Sequence, residues 1–201
     1  MIILDVEQGS DEWFKARIGL VSASNFSKII TPNGKKSTQY KSYMNTLIAE
    51  NMMDHKINTH QSDAMLRGIE LEPEARDYYE FKTDSEVSQV GLVYMDESKT
   101  ISCSPDGLME KKGLEIKCPN PNTQIEYLRD NKVPGKYIPQ IQGSMLITGL
   151  MQWDFLSYHP ELQQLLITVE SDPEYQAKLK VYLDSFVDEM REAINQIKGI
   201  E

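Results

Sequence analysis

The chain is poor in cysteine, in basic charge and in long apolar runs, and each shortage removes a class of protein. Two cysteines, Cys103 and Cys118, among 201 residues supply neither a disulfide framework nor a four-cysteine metal site. The default that follows is a reducing, cytoplasmic setting. No stretch approaches the roughly 18 apolar residues of a membrane span. MIILDVEQGSDEW turns acidic after four apolar residues, unlike a secretory leader. No internal repeat or low-complexity linker divides the chain, so one domain over residues 1–201 is expected. Basic residues are outnumbered, 21 Lys and Arg against 31 Asp and Glu, for a net charge of −10. That balance argues against indiscriminate nucleic-acid binding, which rests on basic surface. A chain of this charge that acts on nucleic acid must confine its positive potential to a cleft or channel.

What is present centres on Ile101–Cys118, ISCSPDGLMEKKGLEIKC. Two short apolar runs, Thr100–Cys103 and Gly113–Cys118, flank Asp106, Gly107 and a polar tip. The pattern predicts strands joined by tight turns, with Gly107 and Gly113 supplying positive φ angles. Alternation along the second strand puts Glu115 and Lys117 on one face and Ile116 and Cys118 on the other. A neighbouring strand ending at Asp106 would bring a second carboxylate beside Glu115. Two carboxylates and an ammonium on one patch are costly to desolvate, and a divalent cation would offset much of that cost. Asp106, Glu115 and the Ile116 carbonyl are hard oxygen donors suited to Mg²⁺, with Mn²⁺ as a substitute. Lys117 would orient or deprotonate a water, or neutralise charge on a phosphate. The chemistry that fits is metal-assisted phosphodiester hydrolysis. The plain alternative is a solvated hairpin carrying a surface Glu/Lys pair.

Elsewhere the sequence reads as helices and strands. Trp13, Phe14 and Ile18 are expected in the core. A helix opens at Ser22-Ala23-Ser24, with one serine as N-cap and Phe26, Ile29 and Ile30 buried, and stops near Pro32-Asn33-Gly34. Arg17 just upstream makes that helix start a candidate phosphate site, against the plainer reading of a serine cap and a surface arginine. Residues 34–38, GKKST, read as a loop, disordered or facing nucleic acid. Tyr40–Met53 is helical with Tyr43, Leu47, Ile48 and Met52 on one side. Asp54–His60 is a loop whose His55 and His60 have no ligands at useful spacing. Ser62–Thr83 is a second helix, capped by Ser62 or Asp63, burying Ala64, Leu66, Ala75, Tyr78 and Phe81, with Pro73 expected to kink or restart it. Val87–Met95, Gln152–Tyr158 and Leu165–Val169 read as strands. Gln124–Arg129, Lys136–Leu150 and Pro173–Lys198 read as helices, Pro119–Pro121 forcing a break before the first. The last carries Tyr175, Leu179, Tyr182, Phe186, Met190, Ile194 and Ile197 as its apolar stripe.

Ser104-Pro105-Asp106-Gly107 followed by Gly113-Leu114-Glu115-Ile116-Lys117-Cys118-Pro119 resembles the PD-(D/E)xK nuclease motif, in the version of the lambda exonuclease-like phage recombination nucleases. Further motifs arrive in that family's order: Trp13, Arg17, Gly19, Ser22, Ala23 and Ser24; Gly68 and Glu72; and Tyr137 to Gln140. The resemblance runs from about Asp5 to Ile197. It implies a restriction-endonuclease-like three-layer α/β/α fold, a central mixed sheet flanked by helices. It implies Mg²⁺-dependent 5′→3′ digestion of one strand of linear double-stranded DNA from a 5′-phosphorylated end. The 3′ overhang left behind would feed a single-strand annealing partner, and the enzyme would be a ring-shaped homotrimer. Arg17, Ser24 and Ser104 would hold the 5′-phosphate, Glu72 would reach the metal site, and Gln140 would bond near the phosphate. Met65 and Leu66 fall where the family places a wedge that splits the duplex end. Two other classes remain: an endonuclease or nick-processing enzyme on the same scaffold, and a non-catalytic DNA-binding or assembly protein.

Overall fold

A computed structural model describes residues 2–57 and 63–199. The strands are β1 (Ile2–Leu4), β2 (Val21–Ser22), β3 (Leu92–Tyr94), β4 (Ile101–Cys103), β5 (Gly107–Leu108), β6 (Lys112–Lys117), β7 (Gln152–Ser157) and β8 (Leu165–Glu170). The α-helices are α1 (Asp11–Ala16), α2 (Tyr40–Met53), α3 (Asp63–Thr83), α4 (Pro121–Asp130), α5 (Ile138–Thr148) and α6 (Pro173–Lys198). The strands form two mixed four-stranded sheets, ordered β1-β3-β4-β2 and β5-β6-β7-β8. An isolated bridge between Ser88 and Leu108 joins the segment before β3 to β5. In the second sheet β6 runs parallel to β7, with Glu115 opposite Phe155 and Lys117 opposite Ser157.

Helices cover both faces. On one side α2, α5 and α6 pack over Val93, Ile101, Trp153 and Phe155, contributing Leu47, Ile141, Leu179 and Phe186 to the larger core. On the other, α3 lays Ala75 and Tyr79 against Leu114, Ile116 and Leu156. This mixed α/β arrangement is the layering the resemblance implied. The final helix is well specified locally. Asp172 accepts from the Tyr175 N–H at 3.0 Å, Pro173 occupies the first turn, and Gly199 ends it at φ 65.

Several expectations change. The serines after Val21 do not cap an α-helix. Ala23–Lys28 is a 3₁₀-helix whose Ser22 N-cap makes no side-chain cap bond, because the hydroxyls of Ser22 and Ser24 bond each other at 3.1 Å and receive Arg17. Residues 34–38 are ordered by the Ile30–Lys36 bridge and the Ser37 N–H to Ile29 carbonyl bond. The helix placed at Gln124–Arg129 starts at Pro121, since proline suits a first turn whose N–H has no partner. Lys136–Leu150 divides into a 3₁₀ turn, Gly135–Tyr137, and α5. Of Val87–Met95 only Leu92–Tyr94 is strand; at Gly91 a Cβ would lie 2.1 Å from the Val6 carbonyl oxygen. The α3 helix runs through Pro73 without restarting. Phe14, Met52, Leu66, Ile197 and above all Phe81, 90% exposed, lie outside the core, whereas Leu183 and Val187 of α6 lie within it. His60 and the Ser62 cap fall outside the described residues, as does the Ala64 side chain.

Gly107 and Gly113 are needed for space, not for positive φ, which neither adopts. A Cβ on Gly113 would stand 2.4 Å from the Trp153 ring, and one on Gly107 2.2 Å from Val87. Both keep side chains off the approach of β6 to its neighbours.

Candidate active site

The site grows from the point where β5 runs out. β5 pairs with β6 only at Gly107–Leu114 and Leu108–Gly113. Among the described residues that side of β6 has no strand partner beyond Leu114, and the Ile116 N–H donates to Asp106 Oδ2 at 2.6 Å. Asp106 lies just before β5 rather than at the end of a strand. The N–H and C=O of one strand residue point to the same side, so the Ile116 carbonyl shares the Asp106 side. Glu115 and Lys117 project from the opposite face to Ile116, toward α5. There Lys117 Nζ ion-pairs with Glu115 Oε1, and Gln140 Nε2 donates to the same oxygen at 2.6 Å.

The charge balance of this cluster is uneven. Glu115, 1% exposed, is pushed up to about 7 by burial and by Asp106, with Lys117 opposing. Burial also raises Asp106, against the pull of Lys117, the Ile116 N–H and Arg76. Glu72 is raised by burial and then by Asp106. Lys117, which burial alone would lower, is raised by Glu115 and Asp106. Three carboxylates thus face two cations, Lys117 and Arg76, at a place where unbalanced charge is expensive. Among the described residues no three His, Cys, Asp or Glu side chains converge as a cage for a metal ion. Two carboxylates and a carbonyl suit a hard cation that keeps several waters, such as Mg²⁺, rather than a thiolate- or imidazole-bound metal. The donor set fits the ion that the resemblance implies.

Beside it lies a second group. Arg17 ends α1, and its guanidinium carbon sits 4.0 Å over the Trp13 ring. It donates to Ser22 Oγ at 3.2 Å and reaches Ser24 Oγ at 3.5 Å. Trp13 is fixed in turn by its Nε1–H to the Gly91 carbonyl at 2.9 Å. Arg17, Ser24, Ser104, Asp106, Glu115, Lys117 and Gln140 line one cleft of about 190 Å³. The Ser104 hydroxyl is buried without a hydrogen-bond partner among the described residues, although most buried hydroxyls have one.

Residues 12–151 match the sequence profile of the YqaJ-like viral recombinase domain. The chain belongs to that family. It is also similar to the alkaline exonuclease LHK-Exo from Laribacter hongkongensis. Identity is 34% over 94% of this chain and 96% of that one, with a TM-score of 0.86. A second structure, of LHK-Exo in complex with dAMP, matches equally. A phage-related exonuclease from Haemophilus somnus 129PT shares the fold, with a TM-score of 0.71 at 16% identity over 89% of this chain and 96% of that one. No curated protein matches the chain.

Against this family background, seven of the eight side chains singled out from sequence meet in the cleft. Glu72 does not line it. It comes from α3 on the far side of the sheet and is held by Arg76 at 2.6 Å, although it feels the charges of Asp106 and Lys117. Sequence reading missed Gln8, Ser144 and Arg76. The Gln8 amide bridges the Val90 and Pro105 carbonyls at 2.8 and 2.9 Å. Arg76, nearly buried, donates to the Asp106 carbonyl at 3.1 Å and, with the Gln89 amide oriented to accept, to Gln89 at 2.9 and 3.0 Å. Its spacing of four from Glu72 was a readable ion-pair signal. Gln8 and Ser144 carried no signal in the sequence.

Proposed function

We propose that the protein is a Mg²⁺-dependent 5′→3′ exonuclease. It would digest one strand of linear double-stranded DNA from a 5′-phosphorylated end and leave a 3′ overhang for a single-strand annealing protein. The observation that carries this is the shared cleft, in which a cation-plus-hydroxyl pocket suited to a terminal phosphate adjoins the carboxylate–lysine cluster. An enzyme so built needs an end to grip before it can cut.

In this reading Asp106, Glu115 and the Ile116 carbonyl hold Mg²⁺, or Mn²⁺ in its place. When bound, the ion supplies charge neutralisation at the phosphate and an easily deprotonated water. Lys117 orients the attacking water or stabilises the charge that develops on the phosphate. Gln140 holds Glu115 in place, and Arg17, Ser24 and Ser104 grip the terminal 5′-phosphate. Glu72, paired with Arg76, supports the site from behind the sheet. Water adds to the phosphorus of the next phosphodiester and the bond to O3′ breaks. A nucleoside 5′-monophosphate leaves, the class of molecule to which the dAMP bound by LHK-Exo belongs. The shortened strand again ends in a 5′-phosphate, the group Arg17 would take.

Residues 1–201 act as one domain in this reading. Three copies would form a ring around the DNA, gathering basic groups inside a molecule whose net charge is −10. Among the described residues no helix is long and apolar enough to cross a membrane. The test is digestion of linear duplex labelled at its 5′ or 3′ end, with Mg²⁺, with EDTA and with Lys117→Ala, beside a closed circle. Early loss of the 5′ label, dependence on Mg²⁺ and Lys117, and an intact circle are expected. A cut circle would make it an endonuclease; metal-independent binding without product would make it a DNA-binding protein.

A further inference from the structure

The turn that carries Arg17 is held by a device that no catalytic role explains. After Arg17 the chain reverses through Gly19 at φ +62, and both polar groups of Gly19 are gripped by neighbouring side chains of α2. The Gly19 N–H donates to Glu50 Oε2 at 3.0 Å. Asn51 Nδ2 donates to the Gly19 carbonyl at 3.2 Å and to the Leu47 carbonyl of its own helix at 2.9 Å. The fit is close, for a Cβ on Gly19 would lie 2.0 Å from Asn51 Nδ2. Glu50 is only 4% exposed, its second partner being Lys56 Nζ at 2.7 Å. A buried carboxylate is a costly way to hold a loop, and an apolar contact would serve if the loop were only structural. The same helix supplies Tyr43, whose hydroxyl accepts from the Ser22 N–H at 3.4 Å. The helix therefore grips the chain on both sides of the guanidinium–serine pocket, while Trp13 closes it from below.

We propose that Glu50 and Asn51 are positioning residues: their grip on Gly19 sets the Arg17 guanidinium against Ser22 and Ser24, and so determines how strongly a 5′-phosphorylated terminus is preferred. This rests on the reading of Arg17 as the phosphate ligand. Arg17 stacks on one of only two tryptophans, so Trp13 fluorescence reports the pocket directly. The chain of residues 1–201 in EDTA is titrated with dAMP and with deoxyadenosine, in its natural form and as Asn51→Ala, Glu50→Ala, Glu50→Gln and Arg17→Ala, with a thermal melt confirming that each is folded. With the hydrogen bond to Gly19 lost, Asn51→Ala is expected to weaken dAMP binding about fivefold with a much smaller change for deoxyadenosine. Glu50→Gln, which still accepts from Gly19, should retain more affinity than Glu50→Ala. On linear duplex with Mg²⁺, the loss should fall on KM for 5′-phosphorylated ends rather than on kcat, and exceed the loss on 5′-hydroxyl ends. If Arg17→Ala leaves dAMP affinity intact, the phosphate assignment itself fails and the proposal with it. If Arg17→Ala loses affinity while folded Asn51→Ala and Glu50→Ala both keep it, the assignment stands and the proposal is overturned.

Discussion

Strand β6 begins and ends with a lysine paired to a buried carboxylate, Asp154 of β7 for Lys112 and Glu115 for Lys117, and the two pairs serve different ends. Near its start Lys112 donates to the buried Asp154 at 2.6 Å. The Tyr79 hydroxyl and Thr168 Oγ1 donate to the same carboxylate, also at 2.6 Å. Both Asp154 oxygens are thus filled by donors from α3, β6 and β8. At the other end Lys117 pairs with Glu115, but Asp106 and Glu72 bring the cluster to three carboxylates against two cations, Lys117 and Arg76, and the cluster opens into a cleft. A buried carboxylate with its donors complete is a structural tie. One left with excess negative charge beside open space is a place for a cation.

Breaking each pair should separate the two roles. The largest effect is expected for Lys117→Ala, a loss of about 10²- to 10⁴-fold in DNA digestion per folded molecule, read by end-label release, with calorimetry confirming that the variant is folded. Asp154→Ala should do the reverse. It strands Lys112 and two hydroxyls, so denaturant unfolding should show a loss of about 3–5 kcal/mol while activity per folded molecule stays near that of the natural chain. Tyr79→Phe removes one of the three donors and should cost about 1–2 kcal/mol in the same unfolding measurement.

The smallest effect is a pH dependence. Burial holds the Glu115 proton up to about 7, against an ordinary 4.5. Between those values the folded chain keeps a proton that the unfolded chain releases, so in EDTA stability falls as pH rises through this window. Lys117 is raised from 10.5, so its contribution is complete below that value and adds no slope here. Glu115→Gln should flatten the fall, and Mg²⁺ should stabilise the natural chain more at pH 8 than at pH 5. A slope in EDTA that Glu115→Gln leaves untouched would remove the contrast between the two ends of the strand.

Much of the site was legible because its motifs are local. The Glu115-x-Lys117 alternation follows from strand periodicity and the Arg17 to Ser24 spacing from one short segment, whereas Asp106 precedes β5 instead of ending a strand as expected. The reasons behind the residues were less legible. Gly107 and Gly113 read as turn formers, but it is Val87 and Trp153, distant in sequence, that demand their missing side chains. Ser22 and Ser24 read as caps because nothing in the sequence shows that Arg17 will claim their hydroxyls. Phe81 read as core on periodicity alone, though α3 turns that face to solvent.

Sequence by itself determined the chemistry on offer: which carboxylates, which lysine and which arginine, with few cysteines and no spare positive charge. Tertiary structure decided which of them act together. It brought Gln140 to Glu115 across 25 residues, set Arg76 against the Asp106 carbonyl, and gripped Gly19 with a helix some 31 residues away. These outcomes depend on where packed helices cross the sheet, which is set by the summed burial of many apolar side chains and not by any one motif.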